Sequence, residues 1–340
     1  MHIKKNLCYL AGSFCIAIVA VSYSERNQME LLMPLRAKLV IPQKIIKNSG
    51  QIEAPPGMPL KQSKDGYYVN PWQASGIVFP SAVMVLCSDC GQLDADERSR
   101  LIDYGKFFAD TAKIREFKGL KFAVWPYPIN FTYGLYPGWI SGMAQANIAV
   151  VLAAVSQCLN DSSFESLARL AINSFKVSVA NGGVLVEMND GYWFEEYAQA
   201  EVAPPLVLNG HVYATLALKN LQAFDLRSRE LYMKGVKAVA GNIQHYDAIT
   251  WCYYDRVGTP ANNYYQKLHA RQMLELYNAT GNEKFLHFHN RFSAQLLSPF
   301  SALQRFIIQP SVFLGVLILI NCATIFFIIQ LILYAKKKWH

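Results

Sequence analysis

The sequence predicts a mainly α protein: helical hairpins packed side by side or around a partial toroid, short β-hairpins in the loops, and an apolar membrane helix at each end. Three observations predict it. Seven stretches carry apolar residues at helical spacing, two aromatic-rich stretches interrupt that rhythm, and each terminus pairs an uncharged apolar run with lysines. With 52% hydrophobic, 13% aromatic and 16% charged residues, the 340-residue chain is too apolar for disorder and too long for a disulfide-stapled miniprotein. Its length allows one ordinary core with a small appendage.

In chain order, Lys4 and Lys5 precede an apolar run from Leu7 to Val21. Residues 1–24 are therefore a signal anchor, or a signal peptide cleaved at Ala20-Val21-Ser22. Residues 25–66, which contain the Pro- and Gly-rich EAPPGMPLKQSKDG, read as a tether. The body is expected over 67–300. Within it, Asp94, Asp96 and Glu97 open an acidic first turn for a helix to about Lys113, with Leu101, Ile102, Tyr104, Phe107 and Phe108 as its apolar side. Periodic stretches follow at about 138–159, 163–180, 206–222, 227–244, 264–279 and 282–297. Between them, Gly119–Tyr136 alternates apolar residues with turn formers, and Gly182–Tyr197 reads as a hairpin turned at Asn189-Asp190-Gly191. Val312–Ala335 is 24 residues without a charge. At about 1.5 Å per residue it is long enough to cross a hydrocarbon core of roughly 30 Å. Residues 336–340, KKKWH, are its basic stop.

The formal charge of +8 is concentrated in the tails: Lys4, Lys5, Lys336, Lys337 and Lys338 leave 27 basic against 24 acidic residues elsewhere. That balance argues for membrane topology and against a nucleic-acid partner. The positive-inside rule then puts both tails in the cytoplasm and the body outside it, in a bacterial periplasm or cell exterior, or in a Golgi lumen. Of seven cysteines, Cys87 and Cys90 form a lone C-x-x-C, compatible with a local disulfide, a redox pair or neither. No histidine is spaced to make it a zinc site, and His287 and His289, at i and i+2, point to different sides of a helix, so no metal is expected. Sequons stand at Asn130, Asn160 and Asn278.

Loops gathered at one end of a helical toroid build a groove, and aromatic faces there suit sugar rings. In order and spacing, GLYPGWISGMAQAN (134–147), WFEEY (193–197), VLNGHVYATLAL (207–218), YYDR (253–256) and NYYQKLHARQMLELY (263–277) resemble the C-terminal catalytic region of the D-glucuronyl C5-epimerase family. DGYYVNPWQASGIV, around Tyr67, resembles the extended segment leading into that region. The resemblance implies an incomplete α/α toroid, and conversion of D-glucuronate to L-iduronate within heparosan or heparan-type chains, with no organic cofactor. The acidic polysaccharide and the membrane are the expected partners, and a homodimer is left open.

Inverting C5 of a uronate means removing the hydrogen α to a carboxylate. The reaction needs a base on one face, an acid on the other, and donors or cations around the carboxylate. The resemblance implies Glu196 and Tyr265 for proton transfer, with Tyr197 and Tyr254 completing the catalytic set. Tyr is a poor base until a cation or donor lowers its pKa, and Arg256, His269 and Arg271 lie close in sequence to Tyr254 and Tyr265. These three, with Asn209, Trp139 and Gln145, are the expected substrate-binding residues. Asn209-Gly210 reads equally as a closely packed helix position and as an amide aimed at substrate. Trp139 and Gln145 read either as groove lining or, for Trp139, as a packing anchor. Ala198, Ala146 and Asn147 stand where the family usually has other residues, and Arg256 falls one place early, all of which bears on substrate fit. The rivals are a uronate polysaccharide lyase and a noncatalytic glycan-binding protein.

Overall fold

A computed structural model describes residues 7–23, 54–64, 66–308, 310 and 312–338. Lys4, Lys5, Trp339 and residues 25–53 of the expected tether lie outside the described residues. The chain is mainly helical with short antiparallel strand pairs, as expected. In order, the elements are α1 (Leu7–Tyr23), β1 (Leu60–Ser63), β2 (Gly66–Val69), α2 (Pro71–Cys87), α3 (Ala95–Thr111), β3 (Lys113–Phe117), β4 (Leu120–Val124), α4 (Gly142–Leu159) and α5 (Ser162–Asn173). There follow β5 (Leu185–Met188), β6 (Gly191–Phe194), α6 (Leu208–Asn220), α7 (Leu226–Asn242), β7 (Asp247–Ala248), β8 (Trp251–Cys252), α8 (Asn263–Thr280), α9 (Glu283–Gln295), α10 (Ser301–Ile308) and α11 (Val312–Lys338). They form two compact units, residues 44–244 and residues 1–43 with 245–340.

The 44–244 unit is organised around α4, which packs against α2, α3, α5 and α6. Every residue from Gly142 to Ser156 is buried, because the helix is small and apolar on all sides. It is long and apolar enough to cross a membrane, yet 83% of it is enclosed by the protein, so it is a core helix. Each of Ile148, Val150, Val151, Leu152 and Val155 is fully buried and contributes about 1.5–3 kcal/mol of transfer free energy. The acidic start of α3 is a capping box: Asp94 accepts from the Glu97 amide at 2.8 Å and Glu97 from the Asp94 amide at 3.4 Å. β3 and β4 pair from Lys113↔Val124 to Phe117↔Leu120, and β5 and β6 pair around a two-residue Asn189-Asp190 turn. The described end of the expected tether is itself structured, since Leu60–Ser63 pairs with Gly66–Val69.

The C-x-x-C pair is not a local disulfide. Cys90 bonds instead to Cys158 at the end of α4, and Cys87 is an exposed free thiol. Cys87 ends α2, and Cys90 begins a separate 3₁₀ turn beyond it.

In the second unit, α8 and α9 form a hairpin whose reversal uses Gly281 in the left-handed region, φ +68°. Ile18 and Val21 of α1 pack with Ala302 of α10 and Leu314 and Ile318 of α11, and Ser22 Oγ accepts the Ala302 amide at 3.1 Å. The 27 residues of α11 extend about 40 Å. Only 11% of its most apolar stretch is buried, the reverse of α4.

Candidate active site

The first cluster belongs to the 44–244 unit and starts from β6. A Cβ on Gly191 would meet the Lys234 carbonyl at 2.2 Å, so glycine, at φ +139°, lets the strand lie directly on α7. At the other end of β6, the Phe194 amide donates to His211 Nδ1 at 2.9 Å, and Nε2–H of the same ring donates to the Gly235 carbonyl at 3.1 Å. The chain then delivers two buried carboxylates. Glu195 turns inward, accepting the amides of Tyr197 at 3.1 Å and Leu206 at 2.9 Å, which closes the loop leading to α6. Glu196 turns into a cavity of about 100 Å³ that it shares with Tyr68, Asn70, Trp72, Tyr127, Trp139 and others.

The cavity wall is aromatic and internally braced. Trp139 stacks on Tyr127 at 3.9 Å between centroids, and its Nε1–H donates to the Ile129 carbonyl at 2.9 Å. Tyr197 leans against Phe131 and Trp139. Tyr68 and Ile129 also line a neighbouring, more polar cavity of about 300 Å³ with Gln62, Lys64 and Asn130.

Glu196 is only 4% exposed. Burial pushes its pKa up to about 8, helped by the like charge of Glu195, while hydrogen bonds from the Tyr197 and Asn209 side chains pull the other way. The Asn209 amide reaches Glu196 Oε2 at 3.2 Å. Gly210 packs so closely that a Cβ would sit 2.3 Å from the same oxygen. The close-packing reading of Asn209-Gly210 is thus what the geometry shows, and the Asn209 amide is aimed at the Glu196 carboxyl. Burial likewise raises Glu195, to about 7, against the pull of its backbone donors.

The second cluster belongs to the unit containing 245–340. Tyr254 is buried, Tyr265 is half-buried, and their rings lie 4.5 Å apart. The Tyr265 amide is capped by Asn262 Oδ1 at 2.9 Å, which fixes the first turn of α8. His269, one turn further on, has its ring 6.5 Å from each tyrosine ring. Arg256 and Arg271 are exposed, and Arg271 meets Glu275 at 3.3 Å. Among the described residues, no three His, Cys, Asp or Glu side chains gather as metal ligands.

Comparison with known proteins joins the two clusters to one family. Residues 118–294, just over half of the chain, match the D-glucuronyl C5-epimerase C-terminus. The chain belongs to the D-glucuronyl C5-epimerase family. An uncharacterized protein of Methanocaldococcus jannaschii is 37% identical over 190 residues, covering 54% of this chain and 61% of the relative. The D-glucuronyl C5-epimerase of Caenorhabditis elegans is 30% identical over 168 residues, 44% of this chain and 27% of the worm protein. The chain thus spans about three fifths of the first relative and about a quarter of the second.

One expected substrate-binding residue of this C5-epimerase family member needs correction. Gln145 is fully buried, and its amide is consumed internally: Oε1 accepts the Trp125 amide at 3.0 Å, and Nε2 donates to the Ala123 carbonyl at 2.8 Å. It ties β4 to α4, away from the cavity. His269 is also fully buried, with Nδ1 3.2 Å from Cys252 Sγ. Trp139 is both groove lining and packing anchor. Glu195, His211 and Tyr127 were missed, although His211 lies inside the VLNGHVYATLAL motif. A histidine on an apolar helix gives no sign of its partners until the strand it accepts from is placed.

These buried groups fix the sign of the pH dependence. Glu195 and Glu196 rise from 4.5 to about 7 and 8, so their contribution to stability is full below 4.5 and is lost as pH rises through 7–8. His211 and His269 fall from 6.5 to about 3, because burial disfavours the imidazolium, so they lower stability as pH falls from 6.5 toward 3. The two effects oppose one another between 4.5 and 6.5, and only the glutamates act above it. Denaturant titrations should therefore give an unfolding free energy that decreases from about pH 6.5 to 8, less steeply in Glu196→Gln. A flat profile across that window would mean that both carboxylates are already ionised in the fold.

Proposed function

We propose that the protein is a membrane-tethered, extracytoplasmic uronate C5-epimerase that converts D-glucuronate to L-iduronate within a heparosan-type chain. The observation that carries this reading is Glu196, a buried carboxyl with its pKa raised to about 8, facing an aromatic-lined cavity in a chain of the D-glucuronyl C5-epimerase family. An ordinary carboxylate is too weak a base for a carbon acid, and one that titrates near neutrality serves as base or acid at working pH. Glu196 and Tyr265 are the two proton-transfer groups. One takes the C5 proton, the electron pair spreads onto the substrate carboxylate, and the other returns a proton to the opposite face. Tyr197, Tyr254 and Arg256 hold the substrate carboxylate as its charge grows.

Three further observations support the setting. The aromatic wall offers faces for a sugar ring, and the adjoining polar cavity with Lys64 leaves room for a neighbouring sugar of an acidic chain. The exposed apolar surface of α11 fits a membrane span stopped by its lysines. The Cys90–Cys158 disulfide fits an oxidising compartment.

The test is deuterium uptake at C5 of a heparosan-type polymer incubated with the protein in D₂O, read by mass spectrometry after depolymerisation. Uptake without chain cleavage is expected. A lyase would remove the same hydrogen but expel the C4 substituent, giving shorter chains and new ultraviolet absorbance. Absence of uptake on both N-acetylated and N-sulfated chains would overturn the assignment.

A further inference from the structure

Three consecutive residues at the start of α6 touch the end of β6 or the proposed acid–base group two residues beyond it. Asn209 donates to the Glu196 carboxyl at 3.2 Å, a Cβ on Gly210 would meet that side chain at 2.3 Å, and His211 Nδ1 receives the Phe194 amide at 2.9 Å. Only the first two act on Glu196 directly. His211 acts one step away, and its geometry is the most constrained of the three. The ring is fully buried, lies parallel to Trp193 at 4.1 Å, and has the Phe194 amide on Nδ1 and the Gly235 carbonyl on Nε2, with Thr215 Oγ1 3.4 Å from Nε2 as well.

That arrangement is satisfied by one tautomer of one charge state. Nδ1 must be a bare acceptor and Nε2 must carry the hydrogen, since an imidazolium has no acceptor to offer the Phe194 N–H. Burial acts in the same direction, holding the pKa down to about 3. The ring therefore joins β6, α6 and α7 with a fixed polarity throughout the working pH range. Residue 194 is where β6 ends, and the next two residues turn their carboxyls in different directions, Glu195 to the Leu206 amide and Glu196 to the cavity. A change in the height or twist of the strand at Phe194 is passed to Glu196 within two residues.

We infer that His211 is the positioning residue for Glu196, a neutral strut whose Nδ1 acceptor at the end of β6 sets where the Glu196 carboxyl stands in the cavity. This rests on the epimerase reading for its catalytic consequence but not for its structural one. Three substitutions separate the roles of the ring. His211→Asn keeps an acceptor near the Nδ1 position, His211→Gln keeps a donor near the Nε2 position, and His211→Leu keeps neither.

The experiment measures C5 exchange kinetics for each variant of the full chain. Beside it, the titration of Glu196 is followed by carbon-13 NMR of labelled glutamate, with the resonance assigned by its loss in Glu196→Gln. His211→Leu is expected to lower kcat about 100-fold, with KM changed little, because the reacting group is displaced by about an ångström. It should also move the Glu196 titration midpoint. His211→Asn should restore at least a tenth of the wild-type kcat and a near-normal midpoint, whereas His211→Gln should restore neither. Equal rescue by Gln, or a Glu196 midpoint unchanged in all three variants, would overturn the inference. If the wild-type chain exchanges no uronate hydrogen but the midpoint still moves in His211→Leu and returns in His211→Asn, the epimerase reading fails while the strut stands.

Discussion

Glu196→Gln is expected to lower C5 exchange by about 10²–10⁴-fold, the usual contribution of a positioned acid–base group. The substitution preserves shape and leaves an amide that neither takes nor gives a proton. Stability should be kept or slightly improved near neutral pH. The native carboxyl is buried, carries a raised pKa and lies beside a second glutamate, so the wild-type protein bears a desolvation cost there as Glu196 ionises. The combination is diagnostic, since a merely structural glutamate would lose stability along with activity. Exchange rates paired with denaturant midpoints decide it, and a variant within threefold of the wild-type rate would remove Glu196 from the chemistry. Tyr265→Phe should give a loss of the same order without a change of fold, because the half-buried ring keeps its contact with Tyr254.

Gly210→Ala is expected to have the second largest effect, though it adds a single methyl group. The new carbon would stand 2.3 Å from Glu196 Oε2 and 2.4 Å from Glu196 Cβ. A carboxylate oxygen can swing aside, but the Cβ is fixed to the backbone, so β6 and α6 must separate. Overpacking of this kind costs about 1–3 kcal/mol. Displacing a catalytic carboxyl by about an ångström costs a further factor of about 100 in rate. The measurement is the unfolding midpoint together with kcat. A Gly210→Ala protein with native stability and rate would show that α6 and Glu196 have more clearance than the glycine implies.

Much of this fold was legible in the residues. The α3 capping box was visible as an acidic turn ahead of an apolar stripe, and the β5–β6 hairpin as an Asn-Asp-Gly turn between aromatic runs. Helix α2 was not legible, because nearly every residue from Pro71 to Cys87 is apolar or small and Pro80 interrupts it, leaving no 3.6-residue contrast to detect. Its true markers were the Asn70 cap and Pro71 at the first position. Strand β3 was hidden by the preceding helix, whose pattern runs into Lys113 without a glycine. At the candidate site, WFEEY was prominent through resemblance, but Glu195 and Glu196 look identical in sequence. They take different roles because backbone amides from 197 and 206 converge on one and an aromatic cavity on the other. Gln145 misled for the opposite reason: a polar residue among apolar ones suggested a ligand, while a strand edge supplied its partners.

The placement of the cysteines has a practical bearing on how this protein is made. The Cys90–Cys158 link closes a loop with a sequence separation of 68 and, on a chain-entropy basis, restrains the unfolded ensemble by about 4 kcal/mol. An exposed thiol at Cys87 sits three positions from one of its sulfurs. Thiolate attack on Cys90 would expel Cys158 and leave a four-residue ring whose restraint is only about 2 kcal/mol. Production in a reducing cytosol, or alkaline handling without a thiol block, therefore favours a scrambled preparation that retains all its atoms but lacks the staple to α4. A Cys87→Ser background, expressed with export, removes this exchange route for the measurements above.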